Sequence, residues 1–211
     1  MQKVKTVLIA LAISCGLVGC GQESVPDVSS VTIGKDGTIA HQIVGNFEQN
    51  YYELDGLEKL ASDRVAEYCA DNGGDSVTLA SVEEKDGKVL IQLNYASDRD
   101  YSDFNHRELY VGKLSEADVH GFPLTNVTFV TAKGESVGFD LIEDQAKKRV
   151  VVIATKPSEE LVVNTNGKVL YINQSTDGGP DVSFDSNKSV HITYPANENA
   201  DESVLSYIVF E

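Results

Sequence analysis

The sequence predicts an α+β fold, with an amphipathic helix packed on antiparallel hairpins in the first half and a β-rich second half. A stripe of apolar residues at helical spacing begins at Leu57. Two Asp-Gly pairs, at 36–37 and 86–87, lie between alternating apolar residues, which is a strong local signal for a hairpin. After Pro123, short β-branched or aromatic runs follow one another at near-regular spacing.

The first predicted hairpin joins residues 31–33 to residues 38–44, and the second joins 76–82 to 88–95. In the second strand of the first hairpin, His41 lies two residues from Ile39 and from Ile43, so the three side chains share one face of the strand. We therefore interpret His41 as a partly covered strand residue rather than a catalyst.

The helix between the two hairpins is predicted from its apolar stripe, which consists of Leu57, Leu60, Ala61, Val65, Tyr68 and Cys69. Asp55 is the expected N-cap, because Glu58 follows it three residues later, and Gly73 marks the end of the helix. Since Cys69 lies on the stripe, we expect a buried and unreactive thiol.

The rest of the chain is predicted to be mostly strands. Residues 98–106 are polar and turn-like or briefly helical, residues 108–112 form a strand, and residues 143–148 can hold a helical turn. Seven further strands are expected at 127–130, 149–154, 161–163, 169–172, 182–184, 190–194 and 207–210. This divides the chain into an α+β region, 31–122, and a β-rich region, 123–211, which form either one domain or two.

The first 19 residues have the layout of a secretory signal, with Lys3 and Lys5 before an apolar run. The ending Leu17-Val18-Gly19-Cys20 resembles the lipobox of bacterial lipoproteins. The resemblance implies cleavage between Gly19 and Cys20 and a lipid anchor on the Cys20 thiol. The alternatives are an ordinary signal peptide and a transmembrane anchor, but the apolar run is shorter than the ~20 residues that cross a bilayer.

Residues 20–30 would then be the lipidated cysteine and a tether. Residues 21–30 are small and polar, and at about 3.3 Å per residue they reach roughly 30 Å when extended. Two acyl chains hold a protein stably on a bilayer. We expect the membrane to be a partner of this chain only through the Cys20 anchor.

The net charge of −16 limits the classes of partner. Such a surface repels nucleic-acid phosphates and anionic lipid headgroups, so nucleic-acid binding is not expected. Cationic peptides, basic protein patches and Ca²⁺ remain compatible with it, although the acidity is also explained by solubility alone.

No motif in the sequence indicates a cofactor or a catalytic centre. His41, His106, His120 and His191 lack the spacing of a metal cluster, and Cys69 is the only cysteine after Cys20. There is no Gly-x-Ser-x-Gly elbow, and the glycines at 73–74 follow a helix, whereas nucleotide-binding loops precede one. We therefore expect no cofactor.

A calcium site is the best metal hypothesis, and its oxygen ligands would be Asp98, Asp100, Asp103 and Asn105. The loop is not an EF-hand, because Asp103 stands at its sixth position and Leu109 at its twelfth. The alternative is a solvated turn that needs no ligand.

Tyrosines offer the second hypothesis for a binding site. Tyr51, Tyr52 and Tyr101 could line a groove, because tyrosine presents a flat apolar ring with a polar tip. Packing in strands and core is the alternative for these residues, and also for Phe47, Tyr95, Phe104 and Tyr110.

Two parts of the mature chain carry a family resemblance. They are residues 36–54, with Asp36-Gly37-Thr38-Ile39 and Tyr51-Tyr52, and the ending that runs from residues 167–171 to residues 207–210. Both parts resemble uncharacterised lipoproteins of Clostridia-type Gram-positive bacteria. The resemblance implies a host with a single membrane and display on the outer face of its plasma membrane. A host with two membranes would place the chain on the outer membrane instead.

The expected function is a non-enzymatic binding or interaction module at the cell surface, with an envelope protein as partner. One alternative is an envelope enzyme with a site assembled only in the fold, favoured by a pocket that groups His106 or His120 with carboxylates. Another is a solute- or Ca²⁺-binding lipoprotein. A two-lobed solute binder is disfavoured, because the sequence lacks βαβ alternation.

Overall fold

A computed structural model describes residues 25–49, 53–142, 148–196 and 202–211, and it has the predicted α+β class. The helices within these residues are α1, Leu54–Asn72, and α2, Asp98–Asn105. The strands are β1 Ser29–Ile33, β2 Ile39–Asn46, β3 Val77–Lys85, β4 Lys88–Tyr95, β5 Leu109–Lys113, β6 Phe129–Val130, β7 Ser136–Val137, β8 Arg149–Thr155, β9 Glu159–Asn164, β10 Val169–Asn173, β11 Asp181–Phe184, β12 Ser189–Tyr194 and β13 Val204–Phe210.

The strands form two sheets. The first has the order β11-β12-β9-β1-β2-β4-β3 and the second the order β5-β8-β13-β10-β6-β7. Among the described pairs, β1 and β9 run parallel, whereas all the others are antiparallel. Each sheet thus takes strands from both sides of residue 122, because β9, β11 and β12 join the first sheet and β5 joins the second.

The main hydrophobic core lies where side chains of both sheets meet. Val31 and Ile39 of the first sheet and Ile153 and Phe210 of the second belong to it. On β8, successive residues alternate between this core and a second cluster, to which Val150 and Val152 belong. A strand covered on both faces has a continuous apolar run, which is why 149–154 was predictable as a strand.

Both predicted hairpins are present. β1 pairs with β2 and β3 pairs with β4, and the second turn has positive φ at both Asp86 (53°) and Gly87 (73°). That geometry is typical of the type I′ turn that Asp-Gly favours. β1 begins at Ser29, however, so the ordered strand starts inside the predicted tether.

Helix α1 has the predicted position, but three of its expected details were wrong. It begins at Leu54, and its N-cap is Glu53, which makes no side-chain capping bond, so Asp55 lies in the first turn and is not the N-cap. Leu60 is 66% exposed and lies off the packed stripe. Cys69 does pack towards the core but is only half-buried, and its thiol donates to the Val77 carbonyl at 3.2 Å.

The second half contains most of its predicted strands, and the chain also has some short elements that the sequence did not indicate. β6 covers only the end of predicted strand 127–130. β7 and the two short 3₁₀ helices, Leu114–Glu116 and Phe139–Leu141, were missed, because three residues or fewer give no periodicity to recognise. Most of the helical turn expected at 143–148 lies outside the described residues.

We expect Gly167→Ala to destabilise the fold by about 1–3 kcal/mol, because overpacking forces the backbone to move. A Cβ at this position would lie 1.3 Å from the main-chain oxygen of Glu211. Gly74→Ala is the matched control, since its Cβ would meet no atom within 4 Å. Urea denaturation of both variants measures the difference, and equal stability would contradict the contact.

Candidate functional site

A cavity of about 280 Å³ lies where helix α2 meets strands β2 and β9. His41 and Ile43 of β2 form one wall, and Tyr101 of α2 forms another. Arg107 follows α2, and residues 159–161 of β9 close the remaining side. The cavity therefore combines side chains from both halves of the sequence.

Strand pairing brings these walls together. Ser29, at the start of β1, also lines the cavity, and in the parallel pair it lies opposite Leu161 of β9. Further along β1, Val31 lies opposite His41 of β2. Since β1 is hydrogen-bonded to both neighbours, it holds β2 and β9 at a fixed separation on either side of it.

The end of α2 positions Arg107. His106 has a left-handed backbone conformation (φ 50°), and its N–H donates to the Ser102 carbonyl. The N–H of Arg107 donates to the same carbonyl at 3.1 Å. This tight helix ending turns the chain away from the α2 axis, and the Arg107 side chain reaches Glu159.

Arg107 and Glu159 form a partly buried ion pair at the cavity wall. The second carboxylate oxygen of Glu159 accepts the Lys156 N–H at 2.8 Å, which fixes the carboxylate on the turn before β9. On the same wall, one oxygen of Glu160 lies 2.8 Å from Nε2 of His191. One positive and two negative side chains thus border the cavity.

Two polar side chains buried at the cavity have hydrogen-bonding capacity that no described residue uses. They are Tyr101, which is 0% exposed, and His41, which is 8% exposed. No described residue accepts the Tyr101 hydroxyl proton or pairs with His41 Nδ1. The two rings lie 5.3 Å apart, and Arg107 is close to both, with a hydrogen bond to the Tyr101 side chain. Because an unsatisfied buried polar atom costs about 1–3 kcal/mol, these two atoms need an explanation.

Burial sets the protonation states of both side chains. It raises the pKa of Tyr101 to about 12, so the phenol keeps its proton at neutral pH. It also lowers the pKa of His41 to about 4, with a further contribution from the Arg107 charge. The site therefore offers a neutral hydroxyl donor, a neutral imidazole, a guanidinium and carboxylates.

The three carboxylates of the calcium hypothesis each contact another group of the protein. Asp98 accepts the Val111 N–H at 2.7 Å, Asp100 belongs to the Ser97 cap of α2, and Asp103 pairs with Arg99. Within the described residues there is no group of three His, Cys, Asp or Glu side chains that could hold a metal ion. The oxygens of α2 thus stabilise the helix and its contact with β5.

The tyrosine hypothesis has a mixed outcome. Tyr51 and Tyr52 lie outside the described residues. Tyr101 and Asn105 do line the cavity, but Tyr101 is in the core and not on a surface groove. The expected alternative of core packing is confirmed for Tyr95, Phe104 and Tyr110, which are all buried.

Arg107, Glu159 and Glu160 were missed as site residues, and the role of His41 at a cavity was missed as well. No short sequence pattern connects them, since β2, α2 and β9 are far apart along the chain. The one available signal was an isolated histidine among isoleucines on the covered face of a strand.

A second, open depression of about 670 Å³ groups His106 with Asp103 and Glu108, the arrangement that would favour an enzyme. Among the described residues, however, no hydrogen bond joins the His106 ring to a hydroxyl or a carboxylate. The nearby Ser102 hydroxyl is already used, because it donates to backbone carbonyls and accepts the Leu109 N–H at 2.9 Å. The described part of the depression thus shows no paired nucleophile and base.

We expect the stability of the fold to fall between pH 6.5 and pH 4 because of His41. In the unfolded chain His41 takes up a proton near pH 6.5, whereas in the fold it does so only near pH 4. The unfolded state therefore binds more protons in this window, at a cost to stability of about 3 kcal/mol. His41→Leu should remove most of this loss in urea denaturation at pH 7 and pH 4.5. An unchanged pH dependence would show that His41 is not responsible.

Comparison of the chain with protein-family models, with curated proteins and with solved structures finds no match. In the part of the chain that the structure describes, neither helix has the length and apolar character needed to cross a membrane.

Proposed function

We propose that this chain is a lipid-anchored extracytoplasmic binding protein that holds a small solute in the cavity between α2, β2 and β9. The observation that carries the proposal is the pair of buried polar groups that no described residue satisfies, the Tyr101 hydroxyl proton and His41 Nδ1. A bound solute would supply the hydrogen bonds that the protein itself leaves unmade.

The form of the cavity supports binding rather than catalysis. It has apolar contacts from Ile43 and Leu161 and a few convergent polar groups, a combination typical of small-molecule sites. An enzyme at this site would use the His41 imidazole as its general base. With a pKa of about 4, this imidazole is neutral at pH 7 but only a weak base.

The anchor is proposed from the sequence, because Cys20 lies outside the described residues. A lipid on Cys20 would connect to the domain through the residues before β1, and Ser29 of β1 lines the cavity. The solute site would then face the space just outside the membrane, on the outer face of the plasma membrane. An envelope protein that delivers or receives the solute there is the partner we propose.

We expect Cys20→Ala to abolish retention in the membrane fraction, because the acyl chains are then lost. Cys15→Ala is the matched control, since it changes a cysteine of the signal that is not the lipidation site. Fractionation of cells with a carbonate wash, followed by immunoblotting, measures retention. Full retention of the Cys20→Ala chain would contradict the anchor.

We expect solutes from the growth medium to raise the melting temperature of the full chain in detergent, since a ligand of the folded state stabilises it. The probe is the ultrafiltered low-molecular-weight fraction of the medium. Ile43→Trp should abolish the shift by filling the cavity, whereas Val44→Trp, at the next position on β2, should keep it. No shift in the unmodified chain would overturn the solute proposal.

A further inference from the structure

The charged side chains at the cavity are already paired within the protein. Arg107 pairs with Glu159 and is also hydrogen-bonded to the side chain of Tyr101. Glu160 lies against His191, with 2.8 Å between its carboxylate oxygen and Nε2. An anion at Arg107 would meet the carboxylate of Glu159, and a cation at Glu159 would meet the guanidinium. An uncharged solute avoids both repulsions and leaves these pairs intact.

The buried polar groups that remain unsatisfied need both kinds of hydrogen bond. Tyr101 accepts from Arg107, so its own proton remains to be donated. The Nδ1 atom of His41 has no partner among the described residues, and in a neutral imidazole it either accepts or donates, depending on the tautomer. A hydroxyl group can accept the Tyr101 proton and can pair with either tautomer of His41, because it has both a proton and lone pairs.

Two further polar groups at the cavity have unused capacity. The Ser29 hydroxyl accepts the Val44 N–H at 3.0 Å, and its own proton goes to no described residue. The second oxygen of Glu160 accepts no hydrogen bond from the described part of the chain. A carboxylate oxygen accepts strongly from an uncharged O–H donor. The cavity thus offers both donors and acceptors, which suits a solute with several hydroxyl groups.

The volume and the apolar contacts set the size of the solute. About 280 Å³ is at or below the lower limit of roughly 300 Å³ for drug-sized ligands. The side chains of Ile43 and Leu161 give aliphatic contacts that fit the C–H groups of a sugar ring. We infer that the cavity binds one small, uncharged solute rich in hydroxyl groups, a single monosaccharide, with its hydroxyls at Tyr101 and His41.

This inference rests on the proposed solute-binding function, and the test separates the two. Isothermal titration uses the full chain in a polyoxyethylene detergent, whose headgroup carries no sugar. The probes are D-glucose, D-galactose and D-mannose, each beside its 2-amino sugar and its uronic acid, at about pH 6.5, where the amine is charged. We expect at least one neutral sugar to bind and both of its charged analogues to bind at least about tenfold more weakly.

Tyr101→Phe tests the contact with the buried hydroxyl. It should weaken binding of the neutral sugar about tenfold, because a hydrogen bond to the ligand is lost. Tyr110→Phe is the matched control, since Tyr110 is also buried but belongs to the second cluster, and its hydroxyl donates to the Lys113 carbonyl at 3.4 Å. Equal affinity of the two variants would overturn the contact.

Glu159→Gln tests whether the ion pair excludes charged solutes. The amide still accepts the Lys156 N–H, but Arg107 no longer faces a carboxylate. The affinity for the uronic acid relative to the neutral sugar should therefore rise at least about tenfold. This ratio is measured within one variant, so a partial loss of folded protein does not change it. An unchanged ratio would overturn the role of the ion pair.

The titrations and the medium fraction together separate the proposals. A charged analogue that binds as tightly as its neutral sugar would overturn the uncharged class and leave the solute proposal in place. The same conclusion follows if no sugar binds while the medium fraction still raises the melting temperature. If neither the sugars nor the medium fraction bind, both proposals are wrong.

Discussion

The parallel pairing of β1 with β9 is the constraint on which the rest of the structure depends. It places Ser29 opposite Leu161 and brings the second half of the chain into the sheet that the first half begins. Side-chain bonds reinforce the same junction, since Asn166 donates to the Gly34 carbonyl at 2.7 Å and Asn164 donates to Thr32 at 3.2 Å. Without this pair the first sheet would divide, and the walls of the cavity would separate.

The hairpin turns, the end of α1 and strand β8 could be predicted from the sequence because interactions between neighbouring residues determine them. The Asp86-Gly87 turn needs positive φ at both positions, and Gly73 ends α1 in a conformation (φ 106°) that other residues avoid. The run from Arg149 to Thr155 is apolar at nearly every position because two clusters cover both faces of β8. Each of these signals lies within a few neighbouring residues.

The candidate site could not be predicted from the sequence, because its residues become neighbours only through long-range strand pairing. Tyr101 and Asn105 were singled out for other reasons, as a groove residue and a calcium ligand, and the cavity gives them different surroundings. Arg107 has no distinctive sequence context, and its importance comes from Glu159 across the cavity. Charge pairs of this kind form only when the topology brings the two residues together, and composition and periodicity do not indicate that topology.

The separation of β1 from β9 along the chain also has a consequence for biogenesis. A chain made from its N-terminus completes β1 and β2 long before residues 159–161 are synthesised. The edge of β1 that pairs with β9 is therefore unpaired during this time. Loop closure over such a distance is slow compared with hairpin formation. Formation of the cavity therefore depends on a long-range step of folding, and a chain that stops before β9 would have both hairpins but no cavity.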